Sequence, residues 1–144
     1  ACNMMSFLKC RPVNFILVRS VSNQLRQLGN VFCLNSPELQ QSRYQAAKEA
    51  LTSKQRPEVL LCMSDRIALA ALQAARHLNL RVPEDVKITG FDDIPESHTQ
   101  HPTLTTVHQQ SKDKGTVAAE IFLGMREEKS IVIPTELMIR ESCP

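Results

Sequence analysis

Three positions in this sequence place polar side chains directly after a short apolar run, and these are the places where the chain could do chemistry. They are Arg19-Ser20 after residues 13–18, Ser64-Asp65 after residues 59–63, and Asp92-Asp93 after residues 86–91. Because ligands of open α/β sheets bind outside the carboxyl ends of the strands, we expect the three positions to lie near one another.

Asp92 is the side chain best suited to hold a ligand. A carboxylate accepts two hydrogen bonds at once, so Asp92 could clamp the hydroxyls of a sugar or the N–H groups of a base. Asp65 is a further candidate for contact with the effector, and the alternative is that Asp65 and Asp93 only cap a helix or turn the backbone.

Catalytic and metal-binding patterns do not emerge from the sequence. With only four glycines, it contains no P-loop, no G-x-G-x-x-G loop and no G-x-S-x-G elbow. His98 and His101 are three residues apart, but no cysteine or carboxylate pattern completes a metal site around them. Asp92 and Asp93 point in different directions at a strand end and make a poor general acid–base pair. We therefore expect no catalytic residue, no metal and no cofactor.

The apolar runs that precede these residues are typical of buried parallel strands. They are short, rich in Val, Ile, Leu and Phe, and do not alternate with polar residues, as expected when both faces of a sheet are covered. The predicted strands are residues 13–18, 31–34, 59–63 and 86–91.

Helical patterns separate these strands. Ser36 and Pro37 form a helix start, an N-cap serine followed by a proline, and this helix runs to about Ser53. A second helix follows Ser64-Asp65 and ends near Asn79. The alternation predicts an α/β fold, an open parallel sheet with helices on both faces.

The rest of the chain follows a different pattern. Leu104–Val107 is predicted as a short strand, and Lys112–Met125 as a helix with Gly124 near its end. Pro134–Arg140 alternates like an edge strand. The predicted connections are residues 96–103 and 127–130.

Composition narrows the class of protein. The sequence is 42% hydrophobic and 22% charged, with a net charge of +2, which indicates a globular domain without a strongly basic face. No apolar run approaches the ~20 residues of a membrane span, and no signal peptide is recognisable at the start. The five cysteines are widely spaced, so we expect reduced thiols and a cytoplasmic protein.

From Arg56 onward, four ordered motifs resemble the LacI/GalR family of bacterial transcriptional regulators. They are residues 57–72 with the Ser64-Asp65 turn, residues 80–86 together with Thr89-Gly90-Phe91-Asp92-Asp93, residues 102–109, and residues 134–140. The resemblance implies the periplasmic-binding-protein-like fold. It assigns residues 1–103 to the C-terminal subdomain, 104–126 to a crossover strand and helix of the N-terminal subdomain, and 127–144 to a return strand.

The same resemblance implies which residues contact a small-molecule effector. Ser64, Asp92 and Gln109 stand at positions where the family contacts its effectors, with Ser64 where many members have Asn. Ser20 lies in a serine-rich turn similar to a family binding loop. Gln24 stands where many members have a clamping Arg, and such a loss argues against an anionic effector.

The resemblance also implies the partners. They are an effector, a sugar or sugar derivative, and a second copy of the chain in a homodimer. Operator DNA would be bound only through a helix-turn-helix headpiece that is missing here, together with most of the N-terminal subdomain. The helix at residues 112–125 would then expose Val117, Ile121 and Phe122 unless a second copy covers them. Two other functions stay open, a sugar-binding protein of a transport system and, less favoured, a small α/β enzyme.

Overall fold

The computed structural model describes residues 15–18, 37–54, 56–127 and 129–144, with the backbone alone for residues 15–18 and 37–39. It contains five strands and four helices in this part of the chain. The strands are β1 (Phe15–Val18), β2 (Val59–Cys62), β3 (Lys87–Thr89), β4 (Thr106–Gln109) and β5 (Thr135–Met138). The helices are α1 (Pro37–Thr52), α2 (Asp65–His77), α3 (Glu96–Thr99) and α4 (Ser111–Phe122). The predicted strand at 31–34 and the candidates Ser20 and Gln24 lie outside the described residues.

The sheet has the parallel core that the sequence predicts. Strands β1, β2 and β3 are hydrogen-bonded in that order and all run parallel, with Leu60 of β2 between Ile16 and Ile88. Parallel bridges at Thr89–Thr105 and Asp92–His108 attach the segment containing β4 to the edge of β3. Strand β5 then pairs antiparallel with β4. The parallel α/β fold is confirmed.

Helix α2 forms because its first residues cap it and its alanines cover the sheet. The Ser64 hydroxyl accepts a hydrogen bond from the Ile67 N–H at 3.4 Å, which caps the helix N-terminus. Small and aliphatic residues then recur on one face, and α1 packs beside α2. The hydrophobic core consists of Ala47, Leu51, Leu60, Cys62, Ile67, Ala68, Ala71, Leu72, Ala74, Ala75, Val86, Ile88 and Leu104.

The residues near Ser142 join the two parts of the sheet. Ser142 is completely buried. Its hydroxyl donates a hydrogen bond to the Ile88 carbonyl at 2.7 Å and accepts one from the Thr105 N–H at 2.9 Å. The Ser142 backbone bonds Ile88 and Thr103 as well. These contacts make the segment after β5 a bridge between β3 and the segment that leads into β4.

Several element boundaries differ from the sequence prediction. The connection predicted at 96–103 contains the short helix α3, whose Ser97 is buried. Strand β4 begins two residues later than predicted, because Leu104 lies in the core while its N–H bonds the Ser97 carbonyl instead of a strand. Helix α4 ends at Phe122, before Gly124, which has a φ of 70° that glycine adopts readily.

Helix α4 contributes no residue to the core. Val117 and Ile121 are half-buried, and Phe122 is 89% exposed, although a helix of this length normally buries an apolar face. Leu123, Met125 and Val132, which follow it, are also exposed. Within the described ranges, no helix is both long and apolar enough to cross a membrane.

Candidate functional site

Asp92 lies at the carboxyl end of β3 in an unusual backbone conformation. Its φ is 120°, a value that side-chain-bearing residues rarely adopt. Its N–H donates to the Val107 carbonyl at 3.0 Å, which fixes Asp92 beside the end of β4. Backbone strain of this kind is often held in place at binding sites.

Gln109, at the end of β4, meets Asp92 directly. Its Nε2 donates to Asp92 Oδ1 at 2.6 Å, and its Oε1 accepts a hydrogen bond from the Lys114 ammonium. Asp92 Oδ2 makes no hydrogen bond to any residue that the structure describes. Burial raises the pKa of Asp92, as does the nearby Asp65, while the Gln109 hydrogen bond and Lys114 act in the opposite direction. The structure thus brings together two of the candidates, and one carboxylate oxygen remains available.

Ser64 and Asp65 lie at the end of the neighbouring strand. The Asp65 N–H donates to the Phe91 carbonyl at 2.8 Å, which joins this turn to the residue before Asp92. Ser64 is half-buried, and its hydroxyl is already engaged as the cap of α2.

The contacts of Asp65 indicate a structural role. Its side chain is 0% exposed, and its carboxylate accepts hydrogen bonds from the Ser97 hydroxyl at 2.6 Å, the Thr106 hydroxyl at 2.5 Å and the Ile94 N–H at 3.0 Å. These donors belong to the loop after β3, to α3 and to β4. Asp65 therefore ties the elements around the site together, and it offers no surface to a ligand.

The buried Asp65 carboxylate explains why residue 90 is a glycine. A Cβ at position 90 would overlap Asp65 Oδ1 and lie 3.0 Å from Leu104 Cδ2. Gly90 has no positive φ in the structure, so the requirement is space and not backbone freedom. The glycine of the Thr89-Gly90-Phe91-Asp92-Asp93 motif lets the buried Asp65 pack against β3.

Asp93, the next residue in the chain, lies in an ion cluster. Arg140 Nη2 donates to its Oδ1 at 2.7 Å, His108 Nδ1 lies 2.9 Å from its Oδ2, and the exposed His98 lies 3.3 Å from Oδ1. Burial acts to raise the pKa of Asp93, but the hydrogen bonds from Arg140 and His108 outweigh it and hold the pKa below its ordinary value.

Sequence reasoning missed Arg140. It also donates to the Leu104 carbonyl at 2.7 Å, and it joins the residues after β5 to the loop that carries Asp92. A single basic residue at the end of a predicted edge strand gives no signal for such a pair, because its partner lies 47 positions earlier.

The arrangement can bind a ligand through a hydrogen-bond acceptor at the strand ends. Among the described residues, no group of three or more His, Cys, Asp or Glu side chains could hold a metal ion. Burial raises the pKa of the Cys62 thiol to about 12, which makes it unreactive near neutral pH. What the site offers at the strand ends is an acceptor, Asp92, held by the amide of Gln109.

A family profile described as "periplasmic binding protein-like domain" matches residues 22–143. A similar sequence is the transcriptional repressor PurR of Haemophilus influenzae (strain PittEE), 38% identical over 107 residues that are 69% of this chain and 32% of the repressor. The chain therefore belongs to the periplasmic-binding-protein-like family, in the form that LacI/GalR-type regulators use as their effector-binding domain.

Two solved structures show the same relationship. A LacI family regulator from Arthrobacter sp. FB24, in complex with lactose, has a TM-score of 0.65 and 25% identity over 73% of this chain and 41% of its own. A lac repressor dimer bound to operator and the anti-inducer ONPF has a TM-score of 0.64 and 26% identity over 71% of this chain and 37% of its own. The chain thus spans about a third of the length of the similar repressor and about two fifths of these structures.

Proposed function

We propose that this chain is part of the effector-sensing core of a LacI/GalR-type transcriptional regulator acting in the cytoplasm, and that it is not an enzyme. The observation that carries the proposal is the Asp92–Gln109 pair at the carboxyl ends of β3 and β4, where a ligand of an α/β sheet binds. The similar proteins are regulators, which supports the same role here.

The chemistry of the pair indicates what the effector must offer. Asp92 Oδ1 is engaged by Gln109, so Oδ2 is the oxygen that accepts a hydrogen bond from the effector. Sugar hydroxyls and the N–H groups of heterocyclic bases both supply such donors. The lactose bound to the similar Arthrobacter regulator supports a sugar or sugar derivative. The half-buried Ser64 adds a hydroxyl at the next strand end. We keep Ser20 and Gln24 as proposed contacts on the resemblance alone.

We propose the same domain organisation that the sequence predicts. Residues 1–103 and 127–144 form the C-terminal subdomain, and residues 104–126 belong to the crossover into the N-terminal one. The exposed apolar residues of α4 support this, because Phe122 needs a surface that the described residues do not supply. We propose that a second copy of the chain covers it in a homodimer, and the structure of the similar lac repressor is described as a dimer. Operator DNA would contact a headpiece, in the part of the relatives that this chain does not span.

The proposal is tested by ligand binding to the full chain and to Asp92→Asn. Lactose, ribose and hypoxanthine serve as probes, with isothermal titration calorimetry as the readout. We expect at least one probe to bind, and we expect the substitution to weaken that binding about 10- to 100-fold, because it removes a charged acceptor. The matched control is Glu84→Gln, which neutralises an exposed carboxylate outside the site and should leave affinity unchanged. Equal affinity in wild type and Asp92→Asn would reduce Asp92 to a turn residue.

A further inference from the structure

We propose that His108 is a positioning residue of the effector site, which acts through Asp93 to hold the Asp92 carboxylate where a ligand can reach it. The inference rests on the proposed function, because it concerns the binding of the same effector. It goes further by assigning a role in that binding to a residue that acts on the ligand only through its neighbours.

The turn that carries Asp92 has an unusual backbone. Asp92 has a φ of 120° and Asp93 a φ of 54°, so two successive residues with side chains lie in the region that glycine favours. Such conformations are unfavourable and persist only where the surrounding contacts enforce them. The direction of the Asp92 carboxylate therefore depends on the contacts that hold this turn.

Two adjacent residues of β4 hold the two residues of the turn. Gln109 Nε2 donates to Asp92 Oδ1 at 2.6 Å, and His108 Nδ1 lies 2.9 Å from Asp93 Oδ2. The backbone aligns the two pairs, since Asp92 forms a parallel bridge with His108. Because successive side chains of a strand point to opposite faces, the turn is held from both sides of β4.

His108 is the donor in its contact with Asp93. Burial acts to raise the pKa of Asp93, but the hydrogen bonds from Arg140 and His108 hold it below its ordinary value. The carboxylate is therefore ionised near neutral pH and can only accept a hydrogen bond. Arg140 Nη2 and the exposed His98 lie near its other oxygen, Oδ1, at 2.7 and 3.3 Å. Within the described residues, His108 is thus the one side chain that hydrogen-bonds Asp93 Oδ2.

The fold itself depends little on the His108 side chain. That side chain is 37% exposed and lies outside the hydrophobic core that the described residues form. Arg140, by contrast, is 12% exposed and also donates to the Leu104 carbonyl, so its replacement disturbs more than Asp93. His108 is therefore the residue at which positioning can be separated from stability.

The first test compares two substitutions of His108 by calorimetry on the full chain. A released turn keeps the binding conformation only part of the time, and the apparent affinity falls by that fraction. In His108→Leu, which has no donor, we expect the tightest-binding probe among lactose, ribose and hypoxanthine to bind about 5- to 10-fold more weakly. In His108→Asn, the amide Nδ2 is separated from Cα by as many bonds as the imidazole Nδ1. The affinity should then return to within about 2-fold of the wild type.

Two further variants separate positioning from general destabilisation. Val86→Ala leaves a cavity in the core just before β3, at the end away from the site. It should lower the free energy of unfolding and leave the affinity unchanged. Asp92→Gly removes the carboxylate but tolerates the positive φ. In this background, at correspondingly higher probe concentrations, His108→Leu should weaken binding no further, because the acceptor that His108 positions is gone.

The turn can also be observed without a ligand. A positive φ brings the amide and α hydrogens of Asp93 close together and gives a strong nuclear Overhauser effect between them. This signal should weaken in His108→Leu and persist in His108→Asn.

Four results would overturn the inference and leave the proposed function standing. They are wild-type affinity or an unchanged Asp93 signal in His108→Leu, equal losses of affinity in His108→Leu and His108→Asn, a comparable loss in Val86→Ala, and an undiminished loss in the Asp92→Gly background. A chain that binds none of the three probes would overturn both.

Discussion

The contact between Gly90 and Asp65 leads to a prediction about coupled substitutions. Asp65→Ala removes the acceptor of two buried hydroxyls and of the half-buried Ile94 N–H, and each buried donor left without a partner costs about 1–3 kcal/mol. The hydroxyls of Ser97 and Thr106 can rotate toward other acceptors, whereas the Ile94 N–H cannot. We therefore expect Asp65→Ala to lower the free energy of unfolding by about 3–5 kcal/mol.

Gly90→Ala should lower the free energy of unfolding by an amount that depends on which residue stands at position 65. In the wild type the new methyl group overlaps Asp65 Oδ1, which its hydrogen bonds hold in place, so we expect a loss of about 2–3 kcal/mol. In an Asp65→Ala background the carboxylate is gone, and only the movable end of Leu104 remains at 3.0 Å. The cost should then fall below about 1 kcal/mol, and the interaction energy should be about 2 kcal/mol.

Urea denaturation of the wild type, the two single variants and the double variant measures this coupling. The m-values must agree among the four proteins for the free energies to be compared. The control is Gly115→Ala, a helical glycine with no atom within 4 Å of an added Cβ, which should stabilise both backgrounds equally by about 0.5–1 kcal/mol. Strictly additive losses for Gly90→Ala and Asp65→Ala would refute the steric explanation of the glycine.

Three further predictions concern charge, assembly and DNA. Arg140→Met should lower the free energy of unfolding by about 2–3 kcal/mol at pH 7, because it leaves Asp93 almost buried with fewer partners. The folded pKa of Asp93 is lowered, so its contribution is present above its unfolded pKa and is lost as the pH falls. The difference in free energy of unfolding between the wild type and Arg140→Met should therefore narrow below about pH 4. Light scattering should give a mass near twice 16.2 kDa, and a monomer with Phe122 still exposed would contradict the homodimer. Fluorescence anisotropy should detect no sequence-specific DNA binding by this chain, and sub-micromolar, sequence-dependent binding would show that it contains a recognition element of its own.

The elements that follow local rules could be predicted from the sequence. The apolar run at β2, the serine that caps α2 and the alternation of strands with helices each follow from a few adjacent residues. Gly90 and Asp92 were also recognisable, because they fall in a motif that resembles a known family.

The features that sequence reasoning missed depend on residues far apart in the chain. The short helix α3 contains a buried Ser97 whose hydroxyl donates to Asp65, a contact between residues 32 positions apart. Leu104 was assigned to a strand because it is apolar, although it packs in the hydrophobic core and precedes the first residue of β4. The ion pair of Asp93 and Arg140 has no local signature, since either residue alone would be typical of a solvated surface.

The burial of Ser142 sets the order in which this fold can be completed during synthesis. Strands β1 to β3 and their helices can associate as soon as residue 89 has been made, since their parallel ladder needs nothing downstream. The edge of β3 reaches its final state only when Ser142 arrives and bonds Ile88, 54 positions earlier. Until then a nascent chain leaves the N–H and carbonyl of Ile88 unpaired at the edge of β3, and unpaired strand edges are places where growing chains can aggregate. Substitutions at Ser142 should therefore lower the yield of folded protein in cells more than their effect on equilibrium stability would suggest.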